Sequence, residues 1–193
     1  MTASGERAAP LDDSALLTRL ARNAIERELG RDVEPPTPPA AREAWLRAPA
    51  ATFVTLELDG KLRGCIGSLV AKHPLVEDLA QNARGAAFED PRFPPLTDPE
   101  FDGLSIEVSV LSEPVPIGCR SESELLASLR PGVDGLVLEY GVRRATFLPQ
   151  VWEGLPAPAA FVAGLKRKAG LQPDFWSADL RFSRYTVVKY SEE

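Results

Sequence analysis

The chain has 193 residues, 44% of them hydrophobic, which is enough for one domain-sized core or for a core with a smaller lobe. A net charge of −6 argues against general nucleic-acid binding, which leaves a basic footprint, and a single histidine with two cysteines leaves no nitrogen–sulfur set for a four-ligand zinc site. No apolar run approaches the roughly 20 residues that span a bilayer, "MTASGERAAPLDDS" lacks the apolar stretch of a secretory signal, and two cysteines suit a reducing cytoplasm.

In chain order, "LDDSALLTRLARNAIERELG" predicts an amphipathic helix. Asp12 or Asp13 is placed to cap its start, and Gly30 stands where a helix-ending glycine belongs. "VEPPTPPA" is a stiff proline-rich connector. "AAREAWLRA" predicts a short second helix with Trp45 and Leu46 inward.

"ATFVTLELDGKLRGCIGSL" predicts a β-hairpin turning at Asp59-Gly60. Two registers compete. A two-residue loop would set Arg63 opposite Leu56 and Cys65 opposite Val54, mixing a charge into an apolar face. A three-residue loop, Leu58 to Gly60, sets Leu62 opposite Leu56 and Gly64 opposite Val54. Arg63, Cys65, Thr55 and Glu57 then share the other face. Burial specifies register strongly, so the second pairing is expected.

"HPLVEDLAQNARGAAFED" predicts a helix with Pro74 at its first position and a Leu75, Leu79, Ala83, Ala86 stripe. Asp78 and Asn82 fall four apart on another of its faces. "PRFPPLTDP" is a loop, since its prolines forbid a helix or a central strand. "GLSIEVSVLSE" alternates as a strand, with Ile106, Val108 and Val110 on one side and Ser105, Glu107 and Ser109 on the other. A short helix over "ESELLASL", a hairpin around Gly141, a helix over "PAAFVAGLKRKAG" and a last strand at "RYTVVKY" complete the reading. The mixture predicts an α+β fold with a mainly antiparallel sheet flanked by helices. Residues 1–10 are expected to be a flexible N-terminus, 11–190 a single domain with room for two subdomains, and 191–193 a tail.

"LRGCIGSL" resembles the signature of the AMMECR domain family. "PLVEDLAQNARGAAFEDPRFPPL", "LSIEVSVLSEP", "LRPGVDGLVLEYGVRRATFLPQVWE" and "KRKAGL" resemble further blocks in family order. The likeness runs from about Leu11 to Tyr190 and is to the type called AmmeMemoRadiSam system protein A. It implies an α+β fold with a smaller second lobe, and partnership with Memo-like and radical SAM proteins. Matched positions are Arg63, Gly64, Cys65, Gly67, Asp90, Arg92, Phe93, Glu107 and Ser109. Ala159-Ala160 departs from the acidic residues that members commonly carry at that helix start.

Each candidate carries two readings. Cys65 is an activated thiol beside Arg63, or a small packed residue; a thiol enzyme needs a base, and the single histidine is His73. Gly64 and Gly67 cradle a phosphate, or admit a helix or ligand closely; the Gly-Lys-Ser/Thr ending of a phosphate loop is missing. Glu107 is an exposed polar-face residue, a catalytic carboxylate, or the partner of Arg63, Arg84 or Arg92. Asp90, Arg92 and Phe93 form a functional loop, or a helix cap and a core plug. The basic "LKRKAG" serves the helix dipole, or a phosphate. Three functions follow: a binder of a small or macromolecular ligand walled by Arg63, Gly64, Cys65, Gly67 and Ser68 with Asp90, Arg92, Phe93 or Glu107 opposite; an enzyme using Cys65 or Glu107; and a scaffold for a partner chain. No metal, cofactor or membrane contact is expected, and nucleic acid is an unfavoured ligand.

Overall fold

The computed structural model describes residues 12–192. The N-terminus expected to be flexible over 1–10 lies outside the described residues. The chain divides into two compact units. One holds the described residues through Val110 and again from Lys189; the other is Leu111–Val188.

The first unit starts with helix α1 (Asp13–Glu28), capped by the Asp12 carboxylate, which accepts from the Ala15 N–H at 2.7 Å. Helix α2 (Ala40–Arg47) leads into strands β1 (Pro49–Leu58) and β2 (Lys61–Gly67). A short β3 (His73–Pro74) precedes helix α3 (Leu75–Phe88); Pro74 is the residue before the helix rather than its first position. Helix α4 (Asp98–Phe101) and strand β4 (Leu104–Leu111) follow. The sheet runs β2-β1-β4-β9, with β9 (Val187–Ser191) supplied by the chain's return and β3 paired to β1. Val54, Leu56, Ile106 and Val108 are fully buried on one sheet face against Leu16, Leu17, Ile25, Leu75 and Leu79 of α1 and α3. At about 25 cal/mol per Å² of apolar surface removed from water, burial of these aliphatic side chains is the main stabilising term of this unit.

The second unit holds β5 (Val115–Pro116), α5 (Glu122–Ser128), β6 (Gly135–Tyr140), β7 (Arg143–Phe147), α6 (Val151–Gly154), α7 (Pro158–Lys168) and β8 (Arg181–Tyr185). Its sheet runs β5-β8-β6-β7, and each of these pairs is antiparallel. Leu136, Leu138, Phe182 and Leu165 form its core. Trp152 stacks on Phe161 at 3.7 Å between ring centres, and its indole N–H donates to the Asp134 carbonyl at 2.7 Å. The α+β class and the smaller second unit agree with expectation.

Two readings change. The last strand, read as one, is two strands that break at Thr186 and join different sheets. The Thr186 N–H donates to the Ser112 hydroxyl, and its carbonyl accepts from the Ser112 N–H, both at 2.9 Å, which fixes the break. Ser191 and Glu192, expected in a tail, belong to the fold: Ser191 ends β9, and Glu192 makes a two-pronged ion pair with Arg22 at 2.7 and 2.8 Å.

Candidate functional site

The site is built on the β1–β2 hairpin, whose register is neither of those weighed. Leu58 pairs Lys61 and Glu57 pairs Leu62, so the loop is the two residues Asp59 and Gly60. Both take positive φ, 53° and 71°, as a type I′ turn demands. Leu56 then pairs Gly64, leaving Arg63 as an extra residue in a β-bulge. Beyond it, Thr55 pairs Cys65 and Val54 pairs Ile66. The bulge resolves the conflict that made a two-residue loop unattractive. It takes the charge out of the ladder and returns Cys65 to the face opposite Val54 and Leu56. Leu62, expected on the apolar stripe, instead pairs with Glu57 and is 43% exposed.

The bulged Arg63 is turned into the protein and is buried. Its Nε and Nη2 donate to the two Glu100 oxygens at 3.0 and 3.2 Å, and Nη2 also donates to the Pro94 carbonyl at 3.0 Å. Nη1 is buried without a hydrogen-bond partner among the described residues. Glu100 is held in turn by Thr97, whose N–H and hydroxyl donate to it at 2.9 and 2.7 Å. The Arg63 hydrogen bonds first, and those of Thr97 second, hold the Glu100 carboxyl down at about 2. Arg63 therefore serves a carboxylate, but that of Glu100 rather than a ligand or Glu107. "Thr97-x-x-Glu100" is a capping-box spacing, the one sequence signal that points to Glu100.

Gly64 is explained by a helix. A Cβ there would lie 2.0 Å from the Ala86 carbonyl oxygen of α3, so only glycine lets that helix lie on β2. At Gly67 a Cβ would lie 2.3 Å from the Phe53 ring. Neither glycine is placed as a phosphate cradle.

Strand β2 is at the edge of its sheet, where backbone groups lack a neighbouring strand. Asp90 and Arg92 supply one at Cys65. The Cys65 N–H donates to Asp90 Oδ2 at 2.8 Å, and its carbonyl accepts from Arg92 Nη2 at 3.3 Å. Asp90 also accepts from the N–H, Nε and Nη2 of Arg92, at 3.1, 2.9 and 2.6 Å. Its carboxyl is held well below the usual range by the Arg92 guanidinium, then by the Cys65 and Arg92 amides, against the opposing effect of burial. Asp90 thus caps the sheet edge, not the end of α3. Phe93 packs beside both guanidinium groups, its ring centre 5.9 Å from that of Arg63 and 5.5 Å from that of Arg92.

What remains of the signature is the Cys65 side chain. It is half-buried, and its Sγ accepts from the Thr55 hydroxyl at 3.4 Å. Glu107 is not across from it as Arg63's partner; Lys189 of β9 pairs with Glu107 at 3.0 Å, a cation outside the three expected. Ser109 is buried on β4.

Ser68 belongs to a second cluster. Its hydroxyl donates to Asp78 Oδ1 at 2.7 Å. Asp78 Oδ2 accepts from the Thr52 N–H, the Thr52 hydroxyl and the Asn82 amide at 2.8, 2.7 and 2.9 Å. Asn82 also donates to the Thr52 carbonyl at 3.0 Å. Asp78, Asn82 and Thr52 are buried, and four hydrogen bonds replace the water that the carboxylate loses. The four-residue spacing of Asp78 and Asn82 was the only sequence signal for this cluster.

Among the described residues, no three His, Cys, Asp or Glu side chains converge to hold a metal ion, and no helix is long and apolar enough to cross a membrane. The AMMECR1 family profile matches residues 18–190. A protein of Thermofilum pendens is 42% identical over 184 residues, covering 86% of this chain and 82% of its own. One from Methanothermobacter thermautotrophicus is 37% identical, covering 96% of this chain and 98% of its own. The crystal structure of protein PH0010 from Pyrococcus horikoshii is similar, with a TM-score of 0.76 at 36% identity, over 95% of this chain and 94% of that one. A hairpin built around "LRGCIGSL" and a likeness that spans nearly the whole chain place this protein in the AMMECR1 family.

Proposed function

We propose that this protein is a ligand- or substrate-binding component whose ligand seats on the outward face of the signature hairpin at Cys65. The carrying observation is a contrast within one strand. The Cys65 backbone is fixed on both sides by Asp90 and Arg92, while its thiol stays half-buried with the Thr55 hydroxyl and the Arg92 guanidinium beside it. A rigid backbone holding an uncommitted side chain is what a binding position requires. The Arg92 side chain, 53% exposed, spends Nε and Nη2 on Asp90 and keeps Nη1 outside that pair, a charged donor that favours an anionic group on the ligand. Resemblance to the AmmeMemoRadiSam type supports action beside Memo-like and radical SAM proteins, and co-purification with such partners tests that part.

The binding reading is tested by mass spectrometry of small molecules released from the full chain after incubation with a metabolite extract. The same molecule is expected from wild type and Cys65→Ser, with at least about tenfold less from Arg92→Gln, the scale of one charged hydrogen bond. A wild-type chain that retains nothing, or an Arg92→Gln chain that retains as much, overturns the proposal. Loss of turnover in Cys65→Ser with the ligand still bound would make Cys65 a nucleophile rather than a contact.

A further inference from the structure

The second unit contains an open cleft of about 480 Å³. It lies between the β6–β7 loop and the chain that follows α7, and is lined by Tyr140, Val142, Arg143, Leu171, Gln172 and Phe175. Its volume falls in the range of small-molecule sites, about 300–1,000 Å³.

Three features of its wall point the same way. Tyr140 and Phe175 meet edge-to-face at 5.1 Å, giving a half-buried aromatic surface. Val142, second residue of the loop, is fully exposed. The loop gains little by exposing it, because Gly141, at φ 58°, already supplies the glycine that a type II′ turn takes at its first position. Arg143 is the third feature. Its Nη1 donates to the Gly170 carbonyl, which orients the guanidinium. Nε and Nη2 have no hydrogen-bond or ion-pair partner among the described residues, so the edge that grips carboxylates and phosphates with two parallel bonds stays free. The neighbouring Arg144 differs, since its Nε is spent on Glu139 at 3.3 Å. Of the basic residues in the last turn of α7, Lys166 is buried against Glu122 and Lys168 donates to the Thr146 carbonyl, so Arg143 is the cation that lines the site.

We infer that this cleft is a binding site for a small aromatic anion, a ring bearing a carboxylate or a phosphate. The ring lies against Tyr140, Phe175 and Val142, and the anionic group meets the free Nε–Nη2 edge of Arg143. Recognition is joint: the apolar wall and the fork each contribute, and neither half of the ligand suffices.

The test is a titration of the full chain, followed by amide chemical shifts, with phenyl phosphate and benzoate in separate arms and with phenol and inorganic phosphate as half-ligands. Phenyl phosphate or benzoate is expected to saturate shifts at Gly141, Val142, Gly170 and Leu171, and the tighter of the two identifies the anionic group. Phenol and phosphate are expected to bind at least about tenfold more weakly. Arg143→Gln is expected to lose about tenfold or more, and Arg143→Lys to recover little, because an ammonium lacks the fork. Thermal unfolding checks that both variants are folded. Equal binding of phosphate and phenyl phosphate, shifts that do not map to these residues, or full recovery in Arg143→Lys overturns the inference.

Discussion

The two hairpins each carry an arginine close to a two-residue loop, and the two arginines have opposite fates. Arg63 is the extra residue of a bulge, so it leaves the ladder and is swallowed by Glu100 and the Pro94 carbonyl. Arg143 holds an ordinary ladder position opposite Tyr140 in a hairpin with no register shift, and stays exposed with its Nε and Nη2 donors free. Residue type does not separate them; burial of the guanidinium and pairing of its Nε–Nη2 edge do. Where every polar group of a motif finds an internal partner, the motif is architecture, and candidate binding positions are the groups left over. By that measure most of "LRGCIGSL" builds the sheet edge, and Cys65 is its remainder.

The contrast predicts unequal tolerance to change. Gly64→Ala is the severest. Its Cβ meets a helix carbonyl that cannot rotate away, so a loss of about 3 kcal/mol or more is expected by chemical denaturation. Next, Asp90→Ala strands the Cys65 amide and removes the partner of Arg92, for about 2 kcal/mol. If it unfolds like wild type, the clasp at the sheet edge is ornamental and the contrast between the hairpins fails.

Glu100→Gln sharpens the comparison through pH. The Glu100 carboxyl sits at about 2 in the folded chain against an ordinary 4.5. Between those values the unfolded chain binds more protons, so stability is present above about 4.5 and drains as the pH falls towards 2. The gap between wild type and Glu100→Gln, about 1 kcal/mol at neutral pH for a partly exposed charged pair, is therefore expected to close over that window. A gap that is constant with pH would show that the carboxylate is not what binds Arg63.

In the second hairpin, Gly141→Ala is expected to cost about 1 kcal/mol, since only the positive φ opposes it and no atom lies within 4 Å of the new Cβ. Smallest of all is Cys65→Ser, within about 0.5 kcal/mol, because its contact with Thr55 survives as a hydroxyl pair. A large loss there would return Cys65 to the core.

Much of the fold was legible. The helical stripe of Leu75, Leu79 and Ala83, the alternation of Ile106 and Val108, and the Asp59-Gly60 and Gly141 turns are local signals, and local signals survive folding wherever they agree with burial. The site was legible as a list of residues but not as a set of partners. Arg63, one of three candidate partners of Glu107, pairs with Glu100, and Asp90, open between a functional loop and a helix cap, caps a strand edge.

Local sequence carried the α+β pattern, the positions of the two turns and the family signature, because periodicity and turn chemistry act over a few residues; it did not carry the length of the first loop. Tertiary structure alone decided the bulge at Arg63, the clasp of Asp90 and Arg92 on Cys65, the buried Asp78 cluster, and the split at Thr186 between two sheets. Each of these satisfies a polar or backbone group that folding removes from water, using a partner that lies far along the chain. A buried charge or amide costs so much unpaired that it takes whichever partner the packed core brings within about 3 Å, and sequence distance has no part in that choice.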